Sequence, residues 1–186
     1  MDSILVTAFM PFGDDKLNPT ELILSALPDR MGDKQILKLL LPVEFEEAPR
    51  LAAMSLMRSR PSAVLMLGQA GGRAAVTPER VAINVMDARM PDNAGFEPHD
   101  VPVEQEGPAA YFSTLPIKKL VEELTAGGLP AAVSNSAGTY VCNAVMYGVL
   151  HAIAMRELDI PAGFIHVPFI TLEEGIRAAE IILGVL

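Results

Sequence analysis

Short apolar, β-branched runs alternate with helix-period segments along almost the whole chain. Runs at residues 4–7, 36–41, 63–67, 81–85, 131–134 and 163–167 have strand length, and most end at Gly, Pro or a polar turn. Between them, residues from Asn18-Pro19-Thr20 onward and residues 43–58, 115–124, 141 onward and 173–186 repeat apolar side chains at helical spacing. Strands that alternate with helices are joined by crossovers, and crossovers make neighbouring strands parallel. The pattern therefore predicts an α/β chain: a three-layer α/β/α sandwich on a mostly parallel central sheet, built as one domain over residues 1–186. In such sheets ligands bind beyond the carboxyl ends of the strands. That rule draws Phe9, Phe12, Gln69, Arg73, Cys142 and His166 toward one edge, because each sits at or just past the end of an expected strand.

Composition narrows the chemistry. The formal net charge is -9, which argues against a nucleic-acid partner, since such proteins carry a basic face. One cysteine in 186 residues forms no internal disulfide and no Cys-rich zinc site, and His99, His151 and His166 are too dispersed for a helical metal motif. No metal or cofactor is implied. The first residues lack a basic, signal-type segment, and no apolar run reaches the roughly 20 residues of a membrane span. A cytoplasmic protein without a membrane partner is the expectation.

The lone thiol lies in Ser134-Asn135-Ser136-Ala137-Gly138-Thr139-Tyr140-Val141-Cys142-Asn143, where a strand feeds a turn and the turn opens a helix. A lone cysteine is commonly a small buried hydrophobe. At a helix start it gains a second reading, because unpaired N–H groups there stabilise a thiolate and can hold an oxyanion. Thr139 is the expected N-cap. A nucleophile needs a base within reach, and His166 at a strand end is better placed than His151, nine residues along the same helix. His99 falls in residues 87–107, a Pro-, Gly- and Asp-rich segment read as a long ordered loop. Glu79 stands out among the acids because it directly precedes an apolar run. Gly68-Gln69-Ala70-Gly71-Gly72-Arg73 matches neither nucleotide-binding glycine pattern and reads as a loop of close backbone approach. Phe9 and Phe12 share a loop and are suited either to the core or to sandwiching a small flat ligand.

Several strings together resemble the pyroglutamyl peptidase I (pyrrolidone-carboxylate peptidase) family of cysteine peptidases. They are Phe9-Met10-Pro11-Phe12-Gly13 with Asn18-Pro19-Thr20, Gly71-Gly72-Arg73, Glu79-Arg80-Val81-Ala82-Ile83-Asn84, Asp87-Ala88-Arg89-Met90-Pro91-Asp92-Asn93, Ser136 through Asn143, and His166-Val167-Pro168. The resemblance implies an omega-peptidase that removes N-terminal pyroglutamate through an acyl-enzyme on Cys142, with His166 as base and acid and Glu79 orienting it. It implies Arg89 and the Cys142 N–H as the oxyanion partners, and Phe9, Phe12, Gln69 and Val141 as the substrate pocket. It further implies a fold related to nucleoside phosphorylases, a cytosolic protein and a homo-oligomer, tetramer or dimer. Ala8 and Met10 replace the family's usual glycine and glutamate, and the connection after Pro168 is short, which implies a cleft open on one side or altered subunit contacts. Two other readings remain: a nucleoside phosphorylase using Gly71, Gly72 and Arg73 for phosphate, and a protein that only binds a small lactam.

Overall fold

The computed structural model describes residues 2–13 and 16–186. Its elements in chain order are β1 (Ser3–Phe9), α1 (Pro19–Ala26), β2 (Arg30–Met31), β3 (Lys34–Leu41), α2 (Glu47–Ser59), β4 (Ala63–Gln69), β5 (Thr77–Pro78), β6 (Val81–Ile83), β7 (Ala110–Phe112), α3 (Ile117–Ala126), α4 (Val141–Met155), β8 (Ala162–Val167) and α5 (Leu172–Val185). Six strands form one sheet in the order β2-β3-β1-β4-β8-β5. The four long central strands run parallel, and the two-residue strands at the edges run antiparallel. The expected three layers are present.

Both faces of this sheet are covered, which is why β1 and β4 read as continuous apolar runs without alternation. Their side chains still divide by parity. Leu5, Phe9, Val64, Met66 and Phe164 pack under α2 and α4. Ile4, Val6, Leu65, Leu67, Ile165 and Val167 pack under α1, α3 and α5. Asn18 caps α1 with its side chain on Thr20 N, and Pro19 occupies the first turn, where a missing N–H costs nothing. Thr171 and Glu174 close a reciprocal capping box at the start of α5.

Four local expectations are corrected. Residues 81–85 do not join the main sheet: Val81–Ile83 pairs with Ala110–Phe112 in a separate two-stranded ribbon. Residues 131–134 form isolated bridges from Ala131 to Val76 and from Ser134 to Glu79, not a strand, so local propensity lost to a neighbour too short to extend the ladder. The second helix starts at Glu47, leaving Val43 to turn inward before it. Thr139 does not cap α4; Tyr140 holds the cap position, and the Thr139 hydroxyl donates instead to Asp87 O at 2.7 Å.

Residues 87–107 contain no helix or strand, as expected of the long loop. Buried Asp92 orders it, accepting from Phe45 N at 2.8 Å and from Ala94 N and Phe96 N at 2.9 Å each. Asn93 Nδ2 donates to Pro11 O at 3.0 Å and ties this loop to the one carrying Phe12.

Candidate active site

The cluster begins with the pairing of β5 and β8. Thr77 lies opposite His166, and Glu79 N donates to Phe164 O at 2.9 Å. That register carries the Glu79 side chain to the His166 ring. His166 Nδ1 and Glu79 Oε1 are 2.6 Å apart, and both residues are buried, Glu79 completely. An ionised carboxylate accepts only, so the bond places the proton on Nδ1 and leaves the Nε2 lone pair free.

Arg73 completes the carboxylate's surroundings. Its Nη1 lies 2.5 Å from the same Glu79 Oε1 and also contacts the Thr77 hydroxyl, while Nη2 donates to Ser136 O at 3.0 Å. A buried carboxylate needs such partners, because isolated charge in the interior is costly. Glu79 Oε2 is buried without a hydrogen-bond partner among the described residues. Engaged three times over by groups of its own chain, Arg73 is not available as the phosphate ligand of a phosphorylase.

Cys142 is the second residue of α4, and no side chain caps that helix. Its first-turn N–H groups therefore have no side-chain cap to satisfy them. Gly138, at φ +79°, makes the sharp entry in a backbone region that disfavours side chains. Asn143 then clamps the first turn to β6: it accepts from Ile83 N at 2.9 Å and donates to Ile83 O and Val85 O at 2.9 and 3.0 Å. Sequence reasoning gave Asn143 no task. An amide directly after the only cysteine, inside an otherwise apolar helical segment, was the available signal.

Gly68 decides how closely thiol and sheet approach. A Cβ there would meet Phe164 at 2.6 Å and Cys142 Sγ at 3.0 Å, so only glycine lets the sulfur rest on β4. The Phe164 ring stacks toward His166 with centroids 4.9 Å apart. Cys142 and His166 thus share one face of the sheet. Burial pushes the Cys142 thiol up to about 12; the Glu79 charge adds to that, while Arg73 and the residue's own backbone N–H oppose it. Burial thus favours the neutral thiol over the thiolate.

A cleft of about 220 Å³ opens beside the sulfur, lined by Phe9, Phe12, Asn18, Val43, Gln69, Gly71, Tyr140, Val141, Cys142 and Phe169. No ionisable carboxylate, lysine or arginine is among them. Phe12 is held by Tyr140 at 5.7 Å between centroids, and Tyr140 by Phe45 at 4.9 Å and a hydrogen bond to Pro91 O at 3.0 Å. Asn18 Nδ2 donates to Met10 O at 3.2 Å, pinning the loop that follows β1 at the residue that replaces the family's usual glutamate. Arg89 is exposed and lines an adjoining cavity that shares Phe12 and Tyr140 with this cleft. His151 lies apart, with its Nδ1 3.0 Å from the Tyr111 hydroxyl, and His99 is exposed. Past Pro168 the short connection leaves Phe169 71% exposed.

A thiol at a helix start, a buried imidazole–carboxylate pair and a cleft at the carboxyl edge of a parallel sheet define an α/β protein arranged for thiol-dependent acyl transfer. Comparison with known proteins specifies it further. Residues 2–179 match the pyroglutamyl peptidase family, and the chain belongs to that family. A pyrrolidone-carboxylate peptidase 1 from Caldanaerobacter subterraneus subsp. tengcongensis is 51% identical over 167 residues, covering 90% of this chain and 82% of the relative. A pyrrolidone-carboxylate peptidase from Thermococcus onnurineus is 46% identical over 192 residues, covering 97% and 96%. Among solved structures, the pyroglutamyl peptidase I of Bacillus amyloliquefaciens superposes with a TM-score of 0.94 at 37% identity, covering 100% of this chain and 96% of that one. No helix among the described residues is long and apolar enough to cross a membrane.

Proposed function

We propose that this protein is a cysteine omega-peptidase that hydrolyses the amide bond after an N-terminal pyroglutamyl residue, within one catalytic domain. The observation that carries the reading is the cleft beside Cys142: apolar walls, the amide of Gln69, and no ionised side chain. An aminopeptidase cleft needs a carboxylate for the substrate ammonium. A pyroglutamyl group is a neutral lactam, with one N–H and one C=O, and it needs what this cleft has. A ligand that lacked either group would leave polar atoms of the pocket unpaired, which discriminates strongly.

The chemistry follows from the placement of the groups. As Cys142 Sγ attacks the pyroglutamyl carbonyl carbon, His166 Nε2 takes the thiol proton, and Glu79 stabilises the resulting imidazolium through Nδ1–H. The Cys142 N–H holds the oxyanion, assisted by Arg89 from the cavity that adjoins the cleft at Phe12 and Tyr140. Collapse breaks the C–N bond, and the imidazolium gives its proton to the departing amine. Water then attacks the thioester with His166 again as base, releasing pyroglutamate and the neutral thiol. A thiol that must stay reduced suits a cytoplasmic setting. The exposed groove of Leu39, Leu51, Met54 and Met57 on α2 and β3 supports assembly of copies into a homo-oligomer.

The test is release of aminomethylcoumarin from a pyroglutamyl amide by the reduced protein. Turnover is expected, and Cys142→Ser and thiol alkylation are expected to abolish it. A folded, reduced protein that cleaves no pyroglutamyl amide but binds pyroglutamate would establish the lactam-binding reading instead.

A further inference from the structure

Phe169 is the most exposed of the ten large apolar side chains at the surface of the described residues, at 71%, and of those ten it alone lines the reactive cleft. A lone exposed phenylalanine is common and needs no explanation. This one stands in the same cleft as the sulfur, where the other rings are all packed: Phe9 against Phe164 with centroids 6.3 Å apart, Phe12 against Tyr140 at 5.7 Å and Tyr140 against Phe45 at 4.9 Å. Its place is fixed from both ends. Val167 ends β8 and Thr171 caps α5, so only residues 168–170 span the connection. The ring lies over Gly71, where a Cβ would collide with it. The Gly71 turn is itself tied to β8, since Ala70 N donates to Val167 O at 2.8 Å. Phe169 also partitions the cleft from an apolar groove of about 290 Å³ formed by α1 and the start of α5, because Gln69 and Phe169 line both.

We propose that Phe169 is a binding wall for the pyroglutamyl ring, packing against it from the side opposite Phe9 and Phe12. The inference rests on the reading of the reactive cleft as a pyroglutamyl pocket. Strand order supplies the geometry. Along β1-β4-β8, Phe9 ends and Phe12 follows the first strand, Gln69 ends the second, and Phe169 follows the third. Aromatic side chains thus stand on both flanks of the Gln69 amide, which has the donor and the acceptor that a lactam needs. A five-membered lactam has two broad faces to cover, and small-ligand sites bury most of the ligand surface. Covering one face with the Phe169 ring takes apolar area of both partners out of water and lets the amide plane stack on the phenyl face. The strings that carry the family resemblance end at Pro168, one residue short of this side chain.

The test compares the wild type with Phe169→Ala and Phe169→Leu on a fluorogenic pyroglutamyl amide, with 2-pyrrolidone as a competitor that has the lactam ring and no leaving group. Phe169→Ala is expected to raise KM about tenfold, the effect of losing part of one aromatic contact, with kcat within about twofold. The inhibition constant of 2-pyrrolidone rises by the same factor, and Phe169→Leu restores most of both. The chain has no tryptophan, so Phe169→Trp introduces a single reporter. At 2-pyrrolidone concentrations that inhibit this variant's turnover, its emission shifts to the blue and acrylamide quenching falls. Unchanged KM and inhibition constant in a folded Phe169→Ala protein, or an unmoved Trp emission under inhibition, overturns the wall and leaves the pyroglutamyl reading standing. A raised KM with an unchanged 2-pyrrolidone constant places the Phe169 ring against the leaving group and overturns the wall as well. Absence of wild-type turnover on every pyroglutamyl amide overturns both.

Discussion

Replacing Glu79 with glutamine isolates the charge in the Glu79–His166 pair from its geometry. The amide oxygen can occupy the Oε1 position and still accept from His166 Nδ1 and Arg73 Nη1, now 2.6 and 2.5 Å away. The amide nitrogen then occupies the Oε2 position, which has no hydrogen-bond partner among the described residues and so gains no new contact. The tautomer survives; the negative charge does not. With charge centres about 4 Å apart, the imidazolium–carboxylate attraction is about 4 kcal/mol at an effective dielectric near 20. At about 1.4 kcal/mol per decade, this amounts to roughly a thousandfold loss in kcat. The uncompensated Arg73 cation beside the ring acts in the same direction. Stability changes less, by about 2 kcal/mol as two charge-assisted bonds become neutral, which lowers Tm by about 4–8 °C. The assay is kcat for a fluorogenic pyroglutamyl amide together with a melting curve. A folded Glu79→Gln protein within tenfold of wild-type kcat refutes the electrostatic role of the carboxylate.

Asn143→Ala removes three part-buried hydrogen bonds between α4 and residues Ile83 and Val85, and chemical denaturation is expected to show a loss of about 3 kcal/mol, with turnover falling as the Cys142 turn loosens. An unchanged denaturation midpoint would remove the clamp. Gly68→Ala forces a methyl group against the fully buried Phe164 and the sulfur and is expected to cost about 1–3 kcal/mol and most of the activity. Gly71→Ala meets only the exposed, movable Phe169 ring and is expected to leave the melting temperature within a few degrees; the same cost for both would contradict the role given to Gly68. Because the Cys142 thiol is pushed up to about 12, alkylation by iodoacetamide should rise about tenfold per pH unit from pH 7 to 10, and a plateau below pH 9 would refute the neutral resting thiol. The same shift has a sign for stability. The folded thiol holds its proton above the ordinary value of 9.0, so this stabilisation is complete below pH 9.0 and lost as pH climbs toward about 12. Cys142→Ser should lack that alkaline loss.

Where the chain repeats one local pattern, reading it was straightforward. The buried runs of β1, β4 and β8 are apolar because helices cover both faces of the sheet, and residue type alone shows that. Residues 131–134 carry the same apolar signal yet make only bridges, because what they pair with, β5 and its flanks, is too short to build a ladder. Thr139 has the right chemistry for a cap, but its hydroxyl is taken by Asp87 O from a distant loop, which no local rule reveals. Arg73 reads from sequence as part of a loop of close backbone approach and is in the structure the partner of a buried carboxylate.

The residues of the sequence by themselves determined the α/β alternation and drew the candidate residues Cys142 and His166 toward the carboxyl edge of the sheet. These follow from hydrophobic period and from the few side chains able to do the chemistry. Only the tertiary structure decided which oxygen of Glu79 serves both His166 and Arg73, how near Gly68 lets the sulfur come, and that the reactive cleft adjoins an apolar groove at Gln69 and Phe169. Those are relations between segments far apart in the chain. They are set by strand register and by packing across the sheet, and no local stretch of sequence contains them.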